Sequence, residues 1–280
     1  MIELLVVVAI IALLLAILLP SLAGARKTGQ SGVCLANLRR LGVAHELYIQ
    51  AYDTPPPFRL KQFPADGPTY VNSYGAAEPR WQWFVDHGVG PVIDPMGFTL
   101  PFNDNSMSEF GRDGMTMTNS YFVDPALNGE SAFNIRNGAY GFNYQYLGNS
   151  RTDTDPDAFD NWPVGVTKLS APSRTVLIGD SRGGSLGHGK HSYALDPPRL
   201  AVSRNATHFG PNGSSPGEEL GHSPVEARHH RKGNVVFLDS HAETMTLNAL
   251  GYGLDSQGDP VPEGPGASNA LWTGDGRDEP

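Results

Sequence analysis

The pattern of apolar and polar positions sets the first fifty residues apart from the rest of the chain. Every residue from Leu4 to Leu19 is apolar, and only Pro20 and Ser21 intervene before Leu22 and Ala23. With Met1 and Ile2 this run approaches the ~20 residues that a helix needs to cross the hydrocarbon of a bilayer. Arg26 and Lys27 close it. Beyond them, Cys34, Leu35, Leu38, Leu41, Ala44, Leu47, Tyr48 and Ala51 recur at spacings of three and four, with Arg39, Arg40, Glu46 and Gln50 on the other face. That is the periodicity of an amphipathic helix. Thr54-Pro55-Pro56-Pro57 stops it, because proline has no amide to donate and restricts the residue before it. The pattern predicts one helix over residues 2–53, about 75 Å long at 1.5 Å per residue. Its first half (1–25) is apolar all round and suits lipid or a helical bundle, and its second half (26–53) lies against a folded domain.

A cleaved secretory signal is the competing reading, since Ala23-Gly24-Ala25 resembles a small-residue cleavage site. An acid, Glu3, stands where the basic n-region belongs, and the helical pattern continues past Ala25. A carboxylate at the head of an apolar helix is expensive in hydrocarbon, roughly 3 kcal/mol unless paired, so Glu3 is a functional candidate.

The remaining pattern is one of short strands. Gly138 to Tyr144 reads as a strand or extended turn, and Thr175 to Ile178 as a buried strand ending near Asp180. Asn234 to Leu238 is a second buried strand, and Ala242 to Leu247 alternates as a half-buried one does, so the two form a hairpin. With 33 glycines and 23 prolines the chain is too interrupted for a helical bundle. The expected fold class is α+β, a long N-terminal helix packed on a loop-rich antiparallel sheet, with a globular domain over 54–250 and an extended tail over 251–280. Residues 54–137 form an aromatic-rich insertion whose rings either pin it to the core or, if exposed, make a surface for carbohydrate or a partner. Trp272 is the tail's candidate for docking on the domain.

A formal net charge of −9 disfavours nucleic acid as a partner, which requires basic surface against phosphate. The single cysteine, Cys34, cannot form an intrachain disulfide and reads as a small apolar residue of the helix face.

Two groups of residues carry candidate chemistry. Asp180, His229, His230, Asp239 and His241 converge at one end of the sheet if the two buried strands are neighbours, and oxygen with nitrogen ligands suits a divalent transition metal or an acid–base pair. The simpler account gives the aspartates to turn amides and leaves the histidines packed or solvated. Asp153, Asp155, Asp157 and Asp160 resemble a calcium loop, without the glycine and glutamate of an EF-hand, and a solvated acidic loop is the simpler account. Gly187-His188-Gly189-Lys190-His191 lacks the serine or threonine of a phosphate loop, and no Gly-x-Ser-x-Gly elbow is present. The chain is not expected to be an enzyme.

Met1-Ile2-Glu3-Leu4-Leu5-Val6-Val7-Val8-Ala9-Ile10-Ile11-Ala12 resembles the start of mature type IV pilins and type II secretion pseudopilins. Cys34-Leu35-Ala36-Asn37-Leu38-Arg39-Arg40 is similar to the Cys-x-x-Asn-Leu-Arg segment of the prepilin-type H-X9-DG subfamily. His229 and Asp239 reproduce that spacing, with Ser240 in place of the glycine. If that position has positive φ, serine is strained there. The leader and the Gly-Phe-Thr-Leu that precede the Ile-Glu pair in prepilins have no counterpart before Met1, so no peptidase site is expected in the residues shown. The resemblance implies a single-pass inner-membrane protein with an extracytoplasmic domain, a structural subunit of a secretion or pilus-like assembly. Its partners would be other pilin-like subunits, met through the N-terminal helix, and the assembly platform. Glu3 matches the acid that neutralises a neighbouring subunit's α-amino group, and Pro20 the position where pilin helices bend. Calcium binding in the globular domain is known in some pseudopilins, which bears on Asp153 to Asp160. A membrane-tethered binding protein for polysaccharide or exported substrate is the alternative.

Overall fold

The computed structural model describes residues 2–53, 55–56, 81–82, 85, 120–127, 139–148, 150–152, 155–160, 164–181, 194–199, 223–261 and 264–278, with backbone alone for 120, 148, 150–152 and 155–160. A single helix, α1 (Ile2–Tyr52), runs unbroken through Pro20. Residues 2–29 are exposed on every side, and the segment is long and apolar enough to cross a membrane. It is suited to serve as a membrane anchor. The helix ends where Asp53 turns left-handed (φ 56°) and donates its amide to the Ile49 carbonyl at 2.7 Å, a C-terminal cap that satisfies a carbonyl left open by the last turn.

The domain side of α1 is drawn through Cys34, Asn37, Leu38, Leu41, Gly42, His45 and Tyr48, all buried. Leu47 is 59% exposed, and Ala51 is exposed too, so the stripe is rotated from the one polarity suggests. The correction has a steric cause. A Cβ on Gly42 would sit 2.7 Å from Val236 Cγ2 and 3.1 Å from Ser240 Cα, so the helix rests directly on the hairpin at its smallest residue. The face centred there carries His45 inward and Leu47 outward.

Four strands form an antiparallel sheet in the order β1 (Tyr140–Phe142), β4 (Val176–Asp180), β5 (Gly233–Phe237), β6 (Ala242–Met245). A separate hairpin pairs β2 (Ser150–Thr152) with β3 (Asp155–Asp160), and a third pairs β7 (Gly253–Leu254) with β8 (Pro260–Val261). The α+β fold is as the pattern predicts. Both central strands are buried throughout because both faces of the sheet are covered. On β5 the alternation of side chains sorts the two layers. Val236 joins Leu38, Leu41, Phe142, Ile178 and Trp81 under α1, and Asn234 Nδ2 reaches the Ser31 carbonyl at 3.3 Å. Val235 and Phe237 face away from the helix into a second core with Leu247, Leu250, Tyr252 and Trp272.

That second core corrects the expectation of an extended tail. Residues 251–261 and 264–278 fold back on the sheet, held by the β7–β8 pair and by Trp272, which is fully buried and donates its indole N–H to the Leu250 carbonyl at 2.9 Å. The hairpin β5–β6 turns at Ser240 with φ 69°, the left-handed conformation that a glycine adopts freely. Its hydroxyl bonds Glu46 Oε2 at 3.1 Å, tying the turn to α1. Most of the aromatic insertion lies outside the described residues, but Trp81 and Phe122 are buried against α1.

His45 is fully buried, donates Nδ1–H to the Leu41 carbonyl at 2.9 Å and stacks on Phe142 with ring centroids 5.5 Å apart. Burial, only partly opposed by that hydrogen bond, lowers its pKa from 6.5 to about 4. The unfolded chain therefore takes up this proton near pH 6.5 and the folded chain only near pH 4. Stability falls through that window as pH drops and levels off below it. The expected contribution is a loss of about 3 kcal/mol between pH 7 and pH 4. Asp180 works in the opposite sense over part of the same range, since its carboxyl is raised to about 6, so the difference between wild type and His45→Leu isolates the histidine. Denaturant unfolding of the full chain in detergent at several pH values should show that difference shrink toward acid, and a pH-independent difference would refute it.

Candidate functional site

Antiparallel pairing decides which of the candidate residues meet. Because β5 runs opposite to β4, the C-terminal end of β4 adjoins the start of β5, with Gly179 opposite Val235 and Ile178 opposite Val236. Asp180 therefore lies beside Asn234, whose amide donates to Asp180 Oδ2 at 2.8 Å, and close to His229, just upstream. Asp239 and His241 sit at the far end of β5, roughly 15 Å away at ~3.4 Å per residue. The convergence of all five residues does not occur. Asp239 instead accepts the His241 amide at 3.2 Å and its ring Nδ1–H, and that ring stacks on Phe237.

His229 is set by a tight turn. His229 and Lys232 exchange both backbone hydrogen bonds at 3.0 Å, across His230 (φ 53°) and Arg231 (φ 62°). Two successive left-handed residues make a hairpin turn of the type that Asn-Gly fills without strain. His230 is turned outward, with Nε2 3.4 Å from the Thr28 hydroxyl, which places it outside the cluster. Replacing His230 by Asn and Arg231 by Gly should stabilise the protein by about 1–2 kcal/mol in total. Denaturant midpoints at unchanged slope would show it, and no change would mean that the turn is relaxed as it stands.

The cluster that forms comprises Cys34, Asp124, Asp180 and His229, all buried, with one potential ligand atom from each lying within 4.8 Å of the others. The Cys34 thiol donates to Asp180 Oδ1 at 3.1 Å. His229 Nε2 lies 3.1 Å from Asp124 Oδ2 and 3.5 Å from Asp180 Oδ2. Asp124 is oriented by the Ala126 amide, which donates to Oδ1 at 2.8 Å. Arg228 closes one side. It donates through Nη2 to the Ala139 and Ser181 carbonyls at 2.9 and 2.8 Å. Its Nη1 lies 3.3 Å from Asp124 Oδ2 and its Nε 3.2 Å from Glu226 Oε2.

Burial is the largest influence on each of these groups. It pushes the Asp180 carboxyl up to about 6 against the pull of Arg228, with Asp124 adding to the rise and His229 opposing it. For Asp124 burial is outweighed by the hydrogen bond from His229 and the charge of Arg228, and its carboxyl is held below the usual range. For His229 burial is outweighed by the two carboxylates, so the imidazolium is favoured. The Cys34 thiol is pushed well up by burial and by Asp180 and Asp124. A charged set at this depth persists because its members compensate one another. A thiol, an imidazole and two carboxylates at this spacing are also a set that could hold a metal ion.

Sequence reasoning brought in Asp180 and His229 and passed over the other half of the cluster. Asp124 sits in Tyr121-Phe122-Val123-Asp124-Pro125 and carries only a turn signal, which its bond to Ala126 fulfils. Cys34 is on the buried face of α1 as expected, but among carboxylates rather than in apolar packing. Arg228 opens the Arg228-His229-His230 run, of which only the histidines were read as chemistry. The calcium candidates are not brought round a loop. Asp155, Asp157 and Asp160 fall on the extended backbone of β3, unlike the curled backbone on which calcium is held, and Asp153 lies outside the described residues. Glu3 and Pro20 are both on the exposed half of α1. Compared with protein-family models, curated proteins and solved structures, the chain matches none of them.

Proposed function

We propose that the protein is a pilin-like structural subunit, anchored in the inner membrane by the first half of α1 and assembling through it with other pilin-like subunits of a secretion or pilus-like system. The supporting observation is the division of one continuous helix. Residues 2–29 leave every side chain uncovered, whereas the buried stripe from Cys34 to Tyr48 seats the same helix on the sheet. A bare anchor requires only a span of about 20 residues. Here the exposed apolar run is continuous with the helix that seats on the domain, with Glu3 one residue into the helix and Pro20 within it. Apolar side chains on all faces suit packing among several like helices, where Glu3 would meet the terminal amine of a neighbour. An unpaired acid in hydrocarbon costs roughly 3 kcal/mol, and pairing it removes that penalty. Pro20 supplies the position where the helix can bend in an assembly.

The test is to image sheared surface material and membranes for this polypeptide in wild type and in Glu3→Ala. The expected result is a filament with a helical core in wild type and dispersed, membrane-held chains in Glu3→Ala. A wild-type protein dispersed singly in the membrane would defeat the proposal.

A further inference from the structure

The cluster under α1 contains more ligand chemistry than a charge network needs. Its four members come from four separate places: Cys34 from the helix, Asp124 from the segment before β1, Asp180 from the end of β4 and His229 from the turn before β5. An ion pair is complete with Asp124, Asp180, Arg228 and His229, and Cys34 adds to it only a thiol donor at 3.1 Å. A second observation comes from Tyr140. Its ring is buried, and its hydroxyl is close enough to the Cys34 sulfur for the two groups to influence each other yet makes no hydrogen bond of ordinary geometry. A neutral thiol is a poor acceptor, whereas a metal-bound thiolate accepts readily, so an ion at this place would give Tyr140 the partner it lacks.

We propose that Cys34, Asp124, Asp180 and His229 form a closed, four-coordinate zinc site that clamps the helix to the sheet. One ligand atom from each residue lies within 4.8 Å of the others, a span that small side-chain shifts can bring round an ion with bonds of about 2.0–2.3 Å. Charge favours a divalent ion. A thiolate and two carboxylates carry three negative charges against the one positive charge of Arg228, which Glu226 also contacts at 3.2 Å, so the set calls for a cation of at least two charges. The ion takes the place of the thiol proton and of the imidazolium proton. Calcium and magnesium are disfavoured, since both require all-oxygen shells of higher coordination. All four positions come from the protein and all are buried, which leaves no open position for substrate and makes the site structural. Two outer contacts are in place: the Asn234 amide on Asp180 and the Ala126 amide on Asp124. This inference is independent of filament assembly.

The experiment uses the full chain in detergent, purified without a polyhistidine tag and without added metal or chelator. Elemental analysis should find about one zinc per chain. Cys34→Ala should lose it, with affinity weakened by roughly a hundredfold or more, while Asp239→Asn at the opposite end of β5 should retain it. To keep the test independent of the folding of Cys34→Ala, wild-type protein stripped of metal is also titrated with cobalt. A thiolate-to-cobalt absorption band saturating at about one equivalent supports the site. Zinc content unchanged in folded Cys34→Ala, or no zinc and no such band in wild type, overturns it.

Discussion

Replacing Arg228 with alanine is expected to destabilise the protein by about 3–5 kcal/mol, the range for removing one partner of a buried charge network. The side chain is 6% exposed and meets four groups. Two are the carbonyls of Ala139 and Ser181, at the edges of β1 and β4, and two are the carboxylates of Asp124 and Glu226. Alanine leaves the carbonyls without that donor and Asp124 and Asp180 with His229 as the only adjacent cation among the described residues. Arg228→Met retains most of the volume and should lose nearly as much, which would assign the effect to charge. Arg228→Lys should recover less than half, because an ammonium is a point charge and cannot span both carbonyls and both acids at once. The deficit should shrink as pH falls through about 6, where Asp180 takes up its proton. Denaturant unfolding at fixed slope measures all three variants. A loss under about 1 kcal/mol for Arg228→Ala would mean that water reaches the cluster and screens it.

Trp272→Ala should cost about 3–5 kcal/mol, as large-to-small changes of a fully buried tryptophan do when the cavity cannot collapse. Trp272 covers the outer face of the sheet, packed edge-on to Tyr252 with centroids 5.7 Å apart and grouped with Val235 and Phe237 of β5. Its indole N–H donates to the Leu250 carbonyl at 2.9 Å, and its own carbonyl accepts from Asn143 Nδ2 at 3.0 Å. One residue thus joins the C-terminal segment, the outer face of the sheet and the β1 end of the domain. Limited proteolysis should then cut within 251–278 in the variant and spare the wild type, since local opening follows the loss of buried contact. Equal protease resistance would show that the β7–β8 pair holds the segment by itself.

The elements were legible in proportion to how local their causes are. The N-terminal helix, its end before the run of prolines and the strands at Val176, Gly233 and Ala242 follow from apolar periodicity and from proline's missing amide, which act over a few residues. The left-handed turn at Ser240 was legible only as a conditional, through the resemblance that puts glycine at that position, and the hairpin corner does adopt positive φ. The inward face of α1 was less so. Leu47 has the polarity of a core residue and His45 does not, and it took the close approach of Gly42 to Val236 to turn the helix.

The site was half legible for the same reason. Asp180 and His229 end up together because each borders a strand and the strands are neighbours. Asp239 and His241 looked equally eligible, since a strand's residues do not state which end of it meets its partner's. Direction of pairing made that choice. Asp124, Cys34 and Arg228 are separated from the others along the chain or disguised by their neighbours, and no local pattern joins them. The sequence by itself therefore determined the apolar helix, its amphipathic continuation and the sheet that receives it, because hydrophobic burial and backbone hydrogen bonding act on patterns within a segment. Only the tertiary structure decided which charges share the space beneath Cys34, because that depends on the antiparallel register of β4 and β5 and on the helix that closes over them.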